Sequence, residues 1–128
     1  MTTIADVDSS AIVAVKDLAK AKAFYGETLG LKLVDESMNV PVYKTGKTKL
    51  VLYESKEAGT NRANAVVWGL GKGLKAEVAR LQGKGVTFEH YPEMKDAKFE
   101  NGIHWSGDFG AAWFKDPDGN ILHVNGAI

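Results

Sequence analysis

The sequence predicts an α+β domain made of two βαβββ modules. Together they form one curved, incomplete eight-stranded barrel with the helices outside. Three observations lead there. An order of strand, helix and further strands occurs twice. Each of the two helical stretches is stopped by glycine. The chain then ends in a hairpin whose turn, Asp116-Pro117-Asp118-Gly119-Asn120, is spelled out in turn-forming residues. Two such modules each leave an apolar sheet face, and burying both against a common core is the cheapest arrangement.

Residues 1–9 read as a loose lead-in, and residues 10–16 as the first strand. Asp17 is a helix N-cap candidate for residues 18–29, where Leu18, Ala21, Tyr25 and Leu29 recur at spacings of three and four. Gly30 marks the end of that helix. Strands follow at 31–36, at 40–45 (where Pro41 suits an edge) and at 49–54, which completes module one over about 10–54. Residues 55–63 are polar, without an apolar period, and form the connector.

Module two, about 64–126, starts with a strand at 64–70. A helix over 73–82 carries Leu74, Val78 and Leu81 on one face, and Gly83 and Gly85 stop it. Residues 86–90 read as a strand. Residues 91–110 read as a long connection, either a lid or a cover for a sheet edge, with an aromatic content that includes Tyr91, Phe99 and Trp105. The hairpin pairs Ala112-Trp113-Phe114 with residues 121–124, and period-two alternation sets Ile121 and His123 on one face and Leu122 and Val124 on the other.

Composition narrows the function. The chain has 128 residues, enough for a single domain, and its 16 basic residues balance 16 acidic ones. That balance removes the electrostatic drive for nucleic-acid binding. No apolar run approaches the roughly 18 residues of a spanning helix, and the start of the chain lacks the pattern of a signal peptide. Neither membrane association nor a nucleic-acid partner is expected, and the expected location is cytoplasmic. There is no Cys, which excludes disulfides, thiolate metal sites and a cysteine nucleophile. A metal would need His and carboxylate ligands, and only His90, His104 and His123 supply imidazole.

Several pieces in this order resemble the vicinal oxygen chelate superfamily, which includes the glyoxalase, bleomycin-resistance and extradiol dioxygenase families. They are the strand and helix around Asp17, Ala23-Phe24-Tyr25 and Leu29-Gly30-Leu31, the Leu81 to Val86 helix exit, and the closing Trp113 to Asn120 run. The resemblance implies a ligand cleft inside the curve, a homodimer and, in the enzymes, a metal held from the first, fourth or fifth, and last strands. In this chain those places fall on Ser10, about Leu52, Asn64 to Val66, and His123, where Glu is usual. One imidazole does not hold a divalent ion. The chain is therefore closest to the metal-free, bleomycin-resistance-like branch, with no cofactor expected.

The leading expectation is a protein that binds a small organic molecule in the cleft, lined by Ser10, Leu52, Asn64, Val66, Trp68, His104, Trp105, Trp113 and His123. The alternative is a lyase, isomerase or dioxygenase with a shifted or incomplete metal site, in which His123 or His104 shuttles protons. His123 itself has three readings: a pocket hydrogen-bonding group or base, a satisfied structural residue, or a metal ligand.

Overall fold

The computed structural model describes residues 2–128. Its strands form two sheets. In the first, the order is β1 (Ala11–Val15), β4 (Thr48–Glu54), β3 (Val42–Thr45), β2 (Lys32–Asp35). In the second it is β5 (Asn64–Gly69), β9 (Ile121–Ala127), β8 (Phe109–Lys115), β7 (Ile103–Ser106), β6 (Lys98–Glu100). In both sheets the module's first strand pairs parallel with its last, and the remaining pairs are antiparallel. The two modules are thus of one kind, and the nine strands do not close into a barrel.

Helix α1 (Leu18–Ala23) begins where Asp17 accepts the backbone N–H of Lys20 at 3.0 Å and runs on into a wider π-type turn, Phe24–Thr28. Gly30, at φ 79°, ends it. Helix α2 (Leu74–Gly83) buries Leu74, Val78 and Leu81. Both helices lie on one side of the sheets and share a single core with Val13, Val15, Leu50 and Leu52 of the first sheet and Ala112, Phe114, Leu122 and Val124 of the second. Alternation turns the remaining residues of each strand to the helix-free side. Among the described residues no helix is long and apolar enough to cross a membrane.

Two sequence expectations are corrected. Residues 86–90 form no strand; Phe88 makes a single bridge to Phe114, and Glu89 donates its N–H to the Trp113 carbonyl at 2.8 Å. Residues 109–111 of β8 are already paired with β7, so this segment meets only the downstream part of that edge, where it bonds at Trp113 and Phe114. Residues 91–110 are not one long connection. They hold the β6–β7 hairpin, closed by Asn101 and Gly102 at φ 52° and 86°, an Asn-Gly pair suited to a tight two-residue turn. The last hairpin is also longer than the sequence reading, running from Phe109 to Ala127.

The 116–120 turn ties the modules together. Asp116, buried, accepts the Tyr25 hydroxyl at 2.9 Å, the Asn120 side-chain amide at 2.8 Å, and the backbone N–H groups of Asp118 and Asn120. Asn120 also donates to the β1 carbonyl of Ala14 at 2.7 Å and accepts the N–H of Gly59 in the connector. Gly59 approaches so closely that a Cβ there would sit 2.0 Å from the Asp118 carbonyl oxygen. Helix, strand, connector and hairpin therefore meet on two side chains. Burial and the Asp116 carboxylate together push the Tyr25 phenol far above its ordinary range, so it stays a donor.

Removing this donor with Tyr25→Phe is predicted to lower unfolding free energy by about 1.5–3 kcal/mol, the range for a hydrogen bond to a charged group. Urea denaturation measures it, and a loss under about 0.5 kcal/mol would show that the clamp is not held by Tyr25.

Candidate functional site

Strand register puts two rows of side chains on the helix-free face of the second sheet. One row is Val67, His123 and Trp113. The next is Gly69, Asn125, Ala111, His104 and Phe99. Ala111 is small, and across it the rings meet. Trp113 stacks on His123 with centroids 4.8 Å apart and meets His104 edge-on at 5.3 Å. Tyr91 packs edge-on against Trp113 at 5.1 Å, and Phe99 lies 4.7 Å from His104 and 4.3 Å from His90. A continuous aromatic surface results, and it contains all three histidines.

His123 lies near the edge of burial with both ring nitrogens engaged. Nδ1 is 3.0 Å from the Ala112 carbonyl oxygen, and Nε2 is 3.2 Å from the Asn125 side-chain nitrogen. A carbonyl only accepts, so in the neutral ring the proton sits on Nδ1 and Nε2 accepts from Asn125.

His104 is 2% exposed. Its Nε2 accepts the Tyr91 backbone N–H at 2.9 Å, which fastens residue 91 over the sheet. The neutral ring then carries its proton on Nδ1, which is buried near the Ala111 backbone without a well-formed hydrogen bond. Burial pushes this imidazole below its ordinary pKa, helped by the neighbouring His90 and opposed by the Ala111 backbone and Glu93.

Of the nine sequence-predicted binding residues, the structure brings His104, Trp113 and His123 together, with Trp113 between the two imidazoles. The other six lie elsewhere. Leu52 is fully buried in the core on the helix side. Val66 and Trp68 face the same side, where Trp68 lines an apolar cavity of about 110 Å³ with Leu31, Leu81 and Phe114. Trp105 faces α2, with the Lys75 ammonium 5.4 Å from its ring centroid. Ser10 is exposed just before β1, and Asn64 is exposed at the start of β5. Sequence alone leaves His90 and Asn125 out of the site and gives Tyr91 and Phe99 only as part of a lid or cover. Carrying the alternation Ile121, His123 one step further points to Asn125.

The places where the resemblance puts metal ligands do not converge. Leu52 has no donor and points to the core, Ser10 lies outside β1, and His123 is bonded within its own sheet. Among the described residues no three His, Asp or Glu side chains are grouped so as to hold a metal ion. These residues therefore do not fit a catalytic divalent metal, which needs about three protein ligands.

Two modules, each pairing its first strand parallel with its last, have a counterpart among known families. The model of the Glyoxalase/Bleomycin resistance protein/Dioxygenase superfamily matches residues 7–124. The chain belongs to this superfamily. Among solved structures it is similar to the antibiotic binding protein TnmS3 from Streptomyces sp. CB03234, at 26% identity and TM-score 0.67, covering 95% of this chain and 98% of that one. The fosfomycin resistance protein FosX from Listeria monocytogenes superposes with TM-score 0.71 at 13% identity, over 100% and 96% of the two chains. Lactoylglutathione lyase from Agrobacterium tumefaciens does so with TM-score 0.67 at 19% identity, over 94% and 92%. The superfamily fold thus carries both binding proteins and enzymes.

Because the folded state lowers the His104 pKa from 6.5, the unfolded chain takes up a proton first as pH falls. The stabilisation is complete above the unfolded value and is lost as pH drops below it toward the folded value. The melting midpoint is therefore predicted to fall between pH 7.5 and 5, with a shallower fall in His104→Gln. Equal slopes for the two proteins would contradict this assignment.

Proposed function

We propose that the protein binds a small organic molecule, flat and largely apolar, against the helix-free face of the second sheet, without help from a metal ion. The observation that carries this reading is the continuous ring surface of Trp113, His123, His104, Tyr91 and Phe99, in which Trp113 and Phe99 keep part of their surface open to solvent. Aromatic faces attract planar ligands through stacking and apolar burial, and a few polar groups fix orientation. Of the other Trp-lined spaces, the one beside Trp68 has about 110 Å³, below the several hundred that organic ligands usually occupy, and the one beside Trp105, of about 290 Å³, is lined mostly by the polar side chains Lys75, Gln82, Glu100 and Asn101.

Binding is favoured over proton transfer by the state of the histidines. His104 has one nitrogen spent on the Tyr91 backbone and the other sealed from solvent, while both nitrogens of His123 are occupied. The likeness to TnmS3, an antibiotic binding protein, agrees with the binding reading. A homodimer in the cytoplasm belongs to the same proposal. Tyr53 and Val67 hold apolar surface open on the helix-free faces, with Val67 58% exposed, and a second copy of the chain would cover such surface.

Titrating the protein with uncharged planar aromatic compounds should quench tryptophan emission saturably. Trp113→Ala is expected to weaken that binding by about tenfold or more, a loss of about 1.4 kcal/mol or more, while Trp68→Phe keeps it. No saturable response from any compound, or an equal loss in Trp68→Phe, would overturn the reading.

A further inference from the structure

The helix-free face of the first sheet carries a feature that the aromatic surface does not account for. Register sets Lys32 opposite Lys44, and Lys44 opposite Lys49, so three ammonium groups cross β2, β3 and β4 in one row. All three are exposed, and Lys47 sits in the turn beside them. Among the described residues, none of the four takes part in an ion pair. The row lies on the face opposite Tyr43 and Leu50, the buried neighbours of Lys44 and Lys49, and so points away from the core.

Like charges directly opposite one another weaken a sheet. Lysines do protect free sheet edges from pairing with other chains, but that accounts only for Lys32 on the edge strand β2. Strands β3 and β4 are interior, and Lys44 and Lys49 have no edge to protect. Two residues along the strands, about 7 Å away, the same face carries an apolar row of Ile12, Val51 and Val42. An open groove of about 310 Å³ joins the two chemistries, lined by Val34, Val42, Lys44, Lys47 and Lys49 together with Thr48 and one carboxylate, Asp35. Asp35 is engaged by the Ser37 hydroxyl at 2.8 Å.

We infer that this groove binds the anionic group of an amphipathic organic ligand, a carboxylate, sulfonate or phosphoryl group, with the ligand's apolar body lying along Ile12, Val51 and Val42. Lysine supplies strong charge-assisted hydrogen bonds to such oxygens, and apposed ammonium groups gain most when an anion is placed between them. The inference rests on the reading of the helix-free faces as the ligand side and adds the charge of the ligand to it.

The test compares an aromatic sulfonate, 8-anilinonaphthalene-1-sulfonate, with its uncharged relative N-phenyl-1-naphthylamine. Probe fluorescence is followed on wild type, on the double variant Lys44→Gln/Lys49→Gln, and on the charge-matched control Lys16→Gln/Lys56→Gln. The sulfonate is expected to bind wild type saturably and to lose about tenfold in affinity in the first variant, against less than about twofold in the control. Affinity for the neutral probe stays level throughout, and the melting midpoint of the first variant holds or rises because a repulsion has been removed. Equal effects in the two double variants, loss of the neutral probe along with the sulfonate, or no saturable sulfonate binding to wild type would each overturn the inference. If neutral aromatics still quench Trp113 in that event, the binding reading stands and only the anionic site falls.

Discussion

A buried carboxylate and a buried amide hold this molecule in register. Asp116 takes up four donors and Asn120 reaches across to β1, so the last hairpin cannot move without disturbing the first strand, the first helix and the connector. Such a network is costly when partly satisfied and specific when complete. Here each of the two side chains is satisfied at more than one point, and the cooperative unit spans both modules. The position of His123 and Trp113 follows directly, because β9 starts at the residue after Asn120 and β8 ends at the residue before Asp116.

From that anchor, strand periodicity distributes the chemistry. Each sheet gives its buried aliphatic residues to the core shared with the helices and presents what remains on the other side. On the second sheet that side is aromatic and carries the three imidazoles. On the first it is aliphatic beside Ile12 and cationic beside Lys44. A ligand that met both faces would therefore find flat apolar surface and positive charge, with few hydrogen-bonding groups free to do chemistry. The buried Nδ1 of His104 has the opposite character, since a buried donor without a well-formed hydrogen bond costs up to about 3 kcal/mol. Its partner nitrogen holds residue 91 against the sheet, and the cost is tied to keeping that cover in place.

Much of the architecture was legible in the sequence because it rests on local chemistry. Asp17 as a cap, Gly30 as a stop, and the 116–120 turn each act on backbone within a few residues, and each stands where local rules put it. The β6–β7 hairpin is also written locally, in Asn101-Gly102, but its strands are only three and four residues long, too short to stand out from a connection. Residues 86–90 failed for a different reason: their β-like composition was real, but pairing depends on which stretch of β8 remains free, and that is set by a hairpin fifteen residues further on. Site residues divided in the same way. His123 and Trp113 follow from alternation within one hairpin. Leu52 and Val66 come from the resemblance to metal sites and Trp68 from its aromatic ring alone, and the side each one faces is decided by sheet register and helix packing. The lysine row was invisible in sequence because Lys32, Lys44 and Lys49 become neighbours only through pairing across three strands.

The account as a whole turns on which side of the second sheet receives a ligand, and the three tryptophans report on it separately. Trp113 lies on the helix-free face, Trp68 and Trp105 on the helix side. The indole N–H signals in a ¹H–¹⁵N correlation spectrum, assigned by single Trp→Phe variants, can be followed while a neutral planar aromatic compound is titrated in. The account predicts that the Trp113 signal moves saturably while those of Trp68 and Trp105 stay in place. Movement of the Trp68 signal with Trp113 unmoved would contradict it, and would place the ligand between sheet and helix instead.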